Sequence, residues 1–257
     1  MNLSKPGLLA MISLSLAACR KDDHQHPDPA PAPAPLPTTG TVNLGFNLSH
    51  GANVFSMNST YQDAAGNNIR FDKLKFYASN FHLSNDAGAE VGRFNDTFLL
   101  IDGAAASNVF TLGSLDPAHV HDVEFTLGLD AETNHADPLL AEAPLNIPDM
   151  HWSWNPTAGY KFLNMEGHVD TNGDGDFDDA TDGTFIYHCA TDALARTTSV
   201  TTHADVLAGG TLTIMANVDM AVVLQAMNVT SNPMPSMGGN STNGGLMNAL
   251  VNAIDGM

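Results

Sequence analysis

Between residues 41 and 218 the chain falls into short runs in which apolar and polar positions alternate, each run closed by Gly, Asn, Asp or Pro. A period of two is the side-chain period of a strand, and the punctuating residues are turn formers. Strands are predicted over residues 41–48, 69–83, 94–101, 119–129, 160–169, 184–190, 197–203 and 211–218. Within 69–83, Ile69, Phe71, Leu74, Phe76, Phe81 and Leu83 keep the alternation only with shifts, which predicts one long strand carrying a bulge. No helical period separates these runs, so βαβ units are disfavoured and an all-β fold, an antiparallel β-sandwich, is expected. Helix is predicted only late. Asp219 is placed to cap a helix over 220–227, and Leu246, Leu250, Val251 and Ile254 have helical spacing, giving one or two short C-terminal helices. The Asn, Ser, Gly, Pro and Met of residues 228–245 predict a loop between them.

Ahead of the strands the chain reads as an address and a tether. Lys5 precedes an apolar run from Leu8 to Ala18 that ends Leu16-Ala17-Ala18-Cys19. The run is too short for a membrane span, which needs about 20 residues, and fits a signal peptide over 1–18. Leu-Ala-Ala-Cys resembles the lipobox of bacterial lipoproteins, in which the cysteine becomes the acylated first residue. The alternative is a plain secretory peptide with an incidental cysteine. With Cys19 lipidated, the protein is expected at the bacterial outer membrane, on its periplasmic or cell-surface face, touching the membrane through the anchor only. From Pro27 to Pro37 proline takes every second position, a stiff spacer of roughly 3.1 Å per residue. Residues 19–39 are thus the lipidated cysteine and tether, with His24 and His26 in it, and 40–257 the folded domain.

Charge narrows the partners. There are 28 Asp and Glu against nine Lys and Arg, and beyond residue 93 the 21 acids face only Lys161 and Arg196. Such a surface repels phosphate backbones, which argues against nucleic acid and leaves cations as the natural partners. Asp170-Thr-Asn172-Gly-Asp174-Gly175-Asp176-Phe177-Asp178 matches the opening of a calcium loop, with oxygen ligands at positions one, three and five and glycine at six. Position twelve is Thr181, so Asp179 or Asp182 would have to replace the usual glutamate. The other reading is a solvated acidic hairpin tip.

Soft and borderline ligands form a second set. His119 and His121 lie two apart on a predicted strand, on one face with Val123, Phe125 and Leu127, where neighbouring imidazoles can chelate one ion. Met234-x-x-Met237 offers thioethers in the methionine-containing loop. Cys189 is a free thiol, because the remaining cysteine is the lipid anchor. No nucleophile elbow or phosphate-cradling glycine loop is present, so an enzyme is not expected.

Both tryptophans fall in Asp149-Met150-His151-Trp152-Ser153-Trp154-Asn155, followed by Gly159-Tyr160-Lys161-Phe162 and Glu166-Gly167. This patch resembles the Met-x-Trp-x-Trp, Gly-Tyr-x-Phe, Glu-Gly signature of the methanobactin-associated copper-binding protein family, the MbnP-like domain. Tyr77-Ala78-Ser79-Asn80, Asp86-Ala87-Gly88, Leu100-Ile101-Asp102, residues 125–130 with Asn134 and Pro138-Leu139, and Phe185-Ile186-Tyr187-His188 are similar to further family segments in the same order. The resemblance implies a β-sandwich that binds copper outside the cytoplasm, for acquisition or storage. It also implies that a tryptophan can be oxidised to kynurenine by a partner dihaem peroxidase-like enzyme, the product ligating copper with histidine. The candidate copper residues are His188, Trp152, Trp154, Met150, His50 and His151, with His82, His119, His121 and His168 as further histidines. The second reading is a structural or adhesive surface lipoprotein stabilised by calcium at Asp170, Asn172, Asp174, Asp176, Asp178, Asp179 and Asp182.

Overall fold

Val42, Leu44, Phe46 and Leu48 point to one side of the first strand and are buried, and Phe46 sits edge-on to Phe76 at 6.2 Å and to Phe125 at 5.7 Å between ring centroids. Those contacts join two sheets through one apolar core, which is the sandwich the alternation predicts. The computed structural model describes residues 36–152, 159–230 and 235–256. The signal peptide, Cys19, His24, His26, Trp154 and Met234 lie outside the described residues.

The smaller sheet has the order β13-β11-β1-β2, with β6 also on β1, where β1 is Gly40–His50, β2 Asn53–Val54, β6 Val109–Leu115, β11 Thr211–Asp219 and β13 Ile254–Gly256. The larger has the order β10-β7-β4-β8-β9-β12, with β3 and β5 also on β4. Its strands are β3 Tyr61–Gln62, β4 Asn68–Ser84, β5 Glu90–Asp102, β7 Ala118–Leu127, β8 Lys161–Asp170, β9 Gly183–Ala190, β10 Arg196–Val206 and β12 Ser236–Gly238. Most pairs are antiparallel. Two are parallel, β1 with β11 and β12 with β9, so both sheets are mixed. A parallel pair needs a long return path, and residues 51–210 supply it between β1 and β11.

The seventeen-residue β4 organises the larger sheet. It pairs with β8 along residues 68–76 and with β7 along 78–84. The predicted bulge is present: register shifts fall between Phe71 and Lys73 and again after Ser79, where Asn80 has φ of 55°. Asparagine tolerates that left-handed conformation better than most residues.

β6 was not among the predicted strands. It buries only Leu112, so its apolar alternation is weak, and it lies at the margin of β1. The expected common face of His119, His121, Val123, Phe125 and Leu127 is also corrected. Val120 and Val123 are both fully buried, so the alternation breaks at His121-Asp122, opposite a register shift between Thr201 and Ala204 of β10.

At the C-terminus α2 spans Met220–Leu224, and the Asp219 carboxylate accepts from the Ala221 N–H as expected. α3 spans Ser241–Asn252 and starts inside the segment read as loop, because Asn240 caps it by accepting from the Asn243 N–H. Buried Asn243 in turn donates to the carbonyls of His188 and Gly238, tying α3 and β12 to β9. Ile254 begins β13 rather than ending the helix.

Candidate functional site

The sheet registers align Lys75 of β4 with Asn164 of β8 and His188 of β9, and place Lys73 beside Glu166. Their neighbours Leu74, Leu163, Met165, Tyr187 and Cys189 belong to the core between the sheets. The polar row therefore occupies the opposite face. It is nevertheless closed off: Asn164 is fully buried and His188 only 7% exposed. The cover is the connection between β7 and β8, which includes α1 (Ala131–Asn134) and a 3-10 turn at Pro148–Met150. The Asp149 carbonyl accepts from Lys161 Nζ at 2.8 Å and from Asn164 Nδ2 at 3.0 Å, and the Pro144 carbonyl accepts from the Tyr77 hydroxyl. Met150, His151 and Trp152 are thereby laid over β8 and β9, with the Trp152 ring 6.3 Å from the His188 ring. Met150 is fully buried and His151 nearly so.

His188 Nε2 lies 2.8 Å from Glu166 Oε1, and Lys73 Nζ lies 3.3 Å from Glu166 Oε2. Burial works against the charge on Glu166, but the His188 hydrogen bond and the Lys73 ammonium outweigh it and hold the carboxyl below its ordinary range. An ionised carboxylate only accepts, so His188 must donate from Nε2. Burial meanwhile pushes the His188 imidazole down, against the pull of Glu166, which favours the neutral ring. In a neutral ring that donates from Nε2, Nδ1 carries the lone pair. That atom is buried and has no hydrogen-bond partner among the described residues. The same is true of His151 Nδ1, Asn164 Oδ1 and the Tyr160 hydroxyl. His151 is likewise pushed down by burial, with Lys161 adding to the effect. Buried polar atoms without partners cost roughly 1–3 kcal/mol each, and four of them lie on or beside this covered face.

The connection is fixed at its far end by Asn134. Its Oδ1 accepts from the Tyr160 N–H at 2.8 Å, and its Nδ2 donates to Asp192 at 2.7 Å. Gly159 has φ of 75°, and a Cβ there would strike Asn134 Oδ1.

A family model named MbnP matches residues 39–242. The chain belongs to the MbnP family. Among solved structures, MbnP from Methylosinus trichosporium matches over 79% of this chain and 82% of that chain, with a TM-score of 0.53 and 14% identity, a likeness of fold. No curated protein matches the chain in sequence. In this MbnP family member several of the segments that carry the sequence resemblance make contact in pairs. Tyr77-x-Ser79-Asn80 closes on Gly128, whose N–H donates to Tyr77 and whose carbonyl accepts from Ser79 Oγ at 2.9 Å. Gly128, at φ of 109°, leaves room for the Phe162 ring. Asn134 holds Gly159-Tyr160, and Glu166 holds His188.

The remaining candidates are scattered by the MbnP fold. His50 is at the end of β1, its ring 4.9 Å from that of Tyr61. His82 pairs with Glu90 at 2.9 Å and His168 with Asp72 at 2.9 Å. His119 and His121 lie near the β4–β5 turn with Asp86, Asp122 and Asp205. Among the described residues none of these hydrogen-bonds, pairs or stacks with His188, Met150 or Trp152. Between β8 and β9, Asp174, Asp176 and Asp179 bring carboxylate oxygens within 4.8 Å of one another. Asp170 instead accepts from the N–H groups of Gly173 and Gly175, Asp182 from those of Thr171 and Asp179, and Asn172 donates to Asp174, Asp179 and Thr181. Asp178 joins no such group. Glu166 is the site residue that residue-type reasoning passed over, although it stands in the Glu-Gly segment. Its signal was a carboxylate in the interior of a strand, where acids are uncommon.

Proposed function

We propose that this protein is a non-enzymatic copper-binding lipoprotein, anchored through Cys19 at the outer membrane, that acquires or stores copper outside the cytoplasm. The observation that carries the reading is His188 Nδ1, a buried lone pair without a partner, on a ring oriented by Glu166 and adjacent to Trp152 in a member of the MbnP family. A ligating histidine whose other nitrogen is held by a carboxylate is the usual arrangement at protein metal sites. Copper is the cargo here, and imidazole with thioether suits it. His188, His151 and Met150 would hold it. Oxidation of Trp152 or Trp154 to kynurenine by a dihaem peroxidase-like partner would add amine and ketone donors that an indole lacks. The test is metal analysis of protein purified from its native host, with mass spectrometry of the peptide spanning residues 150–160. Stoichiometric copper and an oxidised tryptophan are expected; copper-free protein with both tryptophans unmodified would sink the proposal.

A second reading rests on the three convergent carboxylates of Asp174, Asp176 and Asp179. The β8–β9 loop would take up Ca²⁺ and brace the hairpin, in a structural or adhesive surface role. Calcium should then raise the unfolding temperature by mass action, and D176N should abolish the rise. A rise that copper reproduces, or none, would remove this reading.

A further inference from the structure

A second group of nitrogen and oxygen donors lies at the far end of β4. His121 on β7, His203 on β10 and Asp86 in the β4–β5 turn each place one ligand atom within 4.8 Å of the other two. Asp122, the neighbour of His121, pairs with Ser84, whereas His188 aligns through Asn164 with Lys75. Those positions are nine residues apart along β4, on the order of 25–30 Å at the rise of a strand. The two groups cannot share an ion.

Three features distinguish this group from a chance meeting of surface histidines. First, the imidazoles are held from behind. His121 Nδ1 lies 2.7 Å from Asp122 Oδ2, and Asp122 Oδ1 accepts from Thr201 Oγ1 at 2.7 Å, so the supporting carboxylate is itself held. His119 Nδ1 is held by Asp205 at 2.7 Å in the same way. In both rings this leaves Nε2 as the remaining donor nitrogen, and His119 Nε2 lies 3.3 Å from Asp86. Second, the register shift between Thr201 and Ala204 sets Thr202 and His203 against the single residue His121, and the His121 and His203 rings come to 4.6 Å. Bulges recur where a strand must re-aim a side chain. Third, among the described residues the ion-pair partners of Asp86, Asp122 and Asp205 are histidines alone. No Lys or Arg among the described residues pairs with any of these three carboxylates.

We propose that His121, His203 and Asp86, with His119 beside them, form a surface site for a divalent borderline transition ion of the zinc class. Mixed imidazole and carboxylate donors suit such an ion, whereas an oxygen-only loop suits calcium. Bonds of about 2.0–2.2 Å require donors within roughly 4 Å of each other, so closing the site takes sub-ångström movements of exposed side chains. Asp122 and Asp205 act as positioning residues, and water completes the shell.

The test is calorimetric titration of the full chain, purified without an affinity tag, with Zn²⁺. The unsubstituted protein is expected to bind one equivalent more than either H203Q or D86N, both at exposed positions that the fold does not need. D122N should weaken that equivalent by about tenfold, the scale for losing a ligand's supporting carboxylate, while D122E largely restores it. H188Q should keep the equivalent, which separates this site from the copper reading. Identical titrations for H203Q, D86N and the unsubstituted protein, or loss of the equivalent in H188Q, would overturn it.

Discussion

His188 donates from Nε2 to Glu166 Oε1 at 2.8 Å across adjacent strands, and this one bond decides which nitrogen of the ring can meet an ion. The carboxylate is in turn held by Lys73, so the tautomer is set by a chain of charge rather than by the histidine alone.

E166Q keeps the shape of that contact and removes its charge. Copper affinity, read by competition with a Cu(I) chelator, should fall by about 10-fold or more. H188Q should remove the imidazole donor and cost more than E166Q. Equal affinities for E166Q and the unsubstituted protein would show that Glu166 does not orient a ligand.

Acid should destabilise the metal-free protein through the same residue. Burial holds the His188 pKa below its ordinary value of 6.5, so as pH falls past about 6.5 the unfolded chain takes up a proton that the folded ring refuses. Stability therefore declines from there down to the folded-state value. Denaturant midpoints measured from about pH 7.5 to 5 should show this slope, and H188Q should flatten it. His151, also pushed down by burial, will leave part of the slope in that variant.

The connection that covers the site depends on Asn134 and Gly159. G159A forces a side chain into a left-handed backbone and against Asn134, and should cost about 1–3 kcal/mol. N134A strands the buried Tyr160 N–H, again about 1–3 kcal/mol. Because both changes break one contact, the double variant should lose less than the sum, as chemical denaturation will report.

Cys189 is a fully buried free thiol whose pKa is pushed far up by burial. The thiolate is the reactive form, so thiol reagents should label the protein only after it unfolds. Rapid labelling of the native protein would contradict the packing of β9 against the core.

The strands were legible because a half-buried strand writes its period directly into sequence: residues 41–48, 69–83 and 211–218 became β1, β4 and β11 with ends shifted by a few residues. Two of the family segments were legible because they answer a close approach that few residues tolerate, Gly128 under Phe162 and Gly159 against Asn134. β6 escaped because an edge strand that buries one side chain leaves no pattern. α3 escaped at its start because its cap, Asn240, is hidden in a run of residues that elsewhere make loops.

By itself, then, the sequence determined the class of fold, the family and the side chains with metal-binding chemistry, since these depend on local period and residue type. It did not determine which of those side chains meet. His188 faces Glu166 through the register of β8 and β9, and His121 faces His203 through a bulge that shifts the register between β7 and β10. β11 lies parallel to β1 although residues 51–210 separate them in sequence. Pairings of this kind are settled by the packing of the whole sandwich, because a shift of one residue turns every side chain of a strand to the other face.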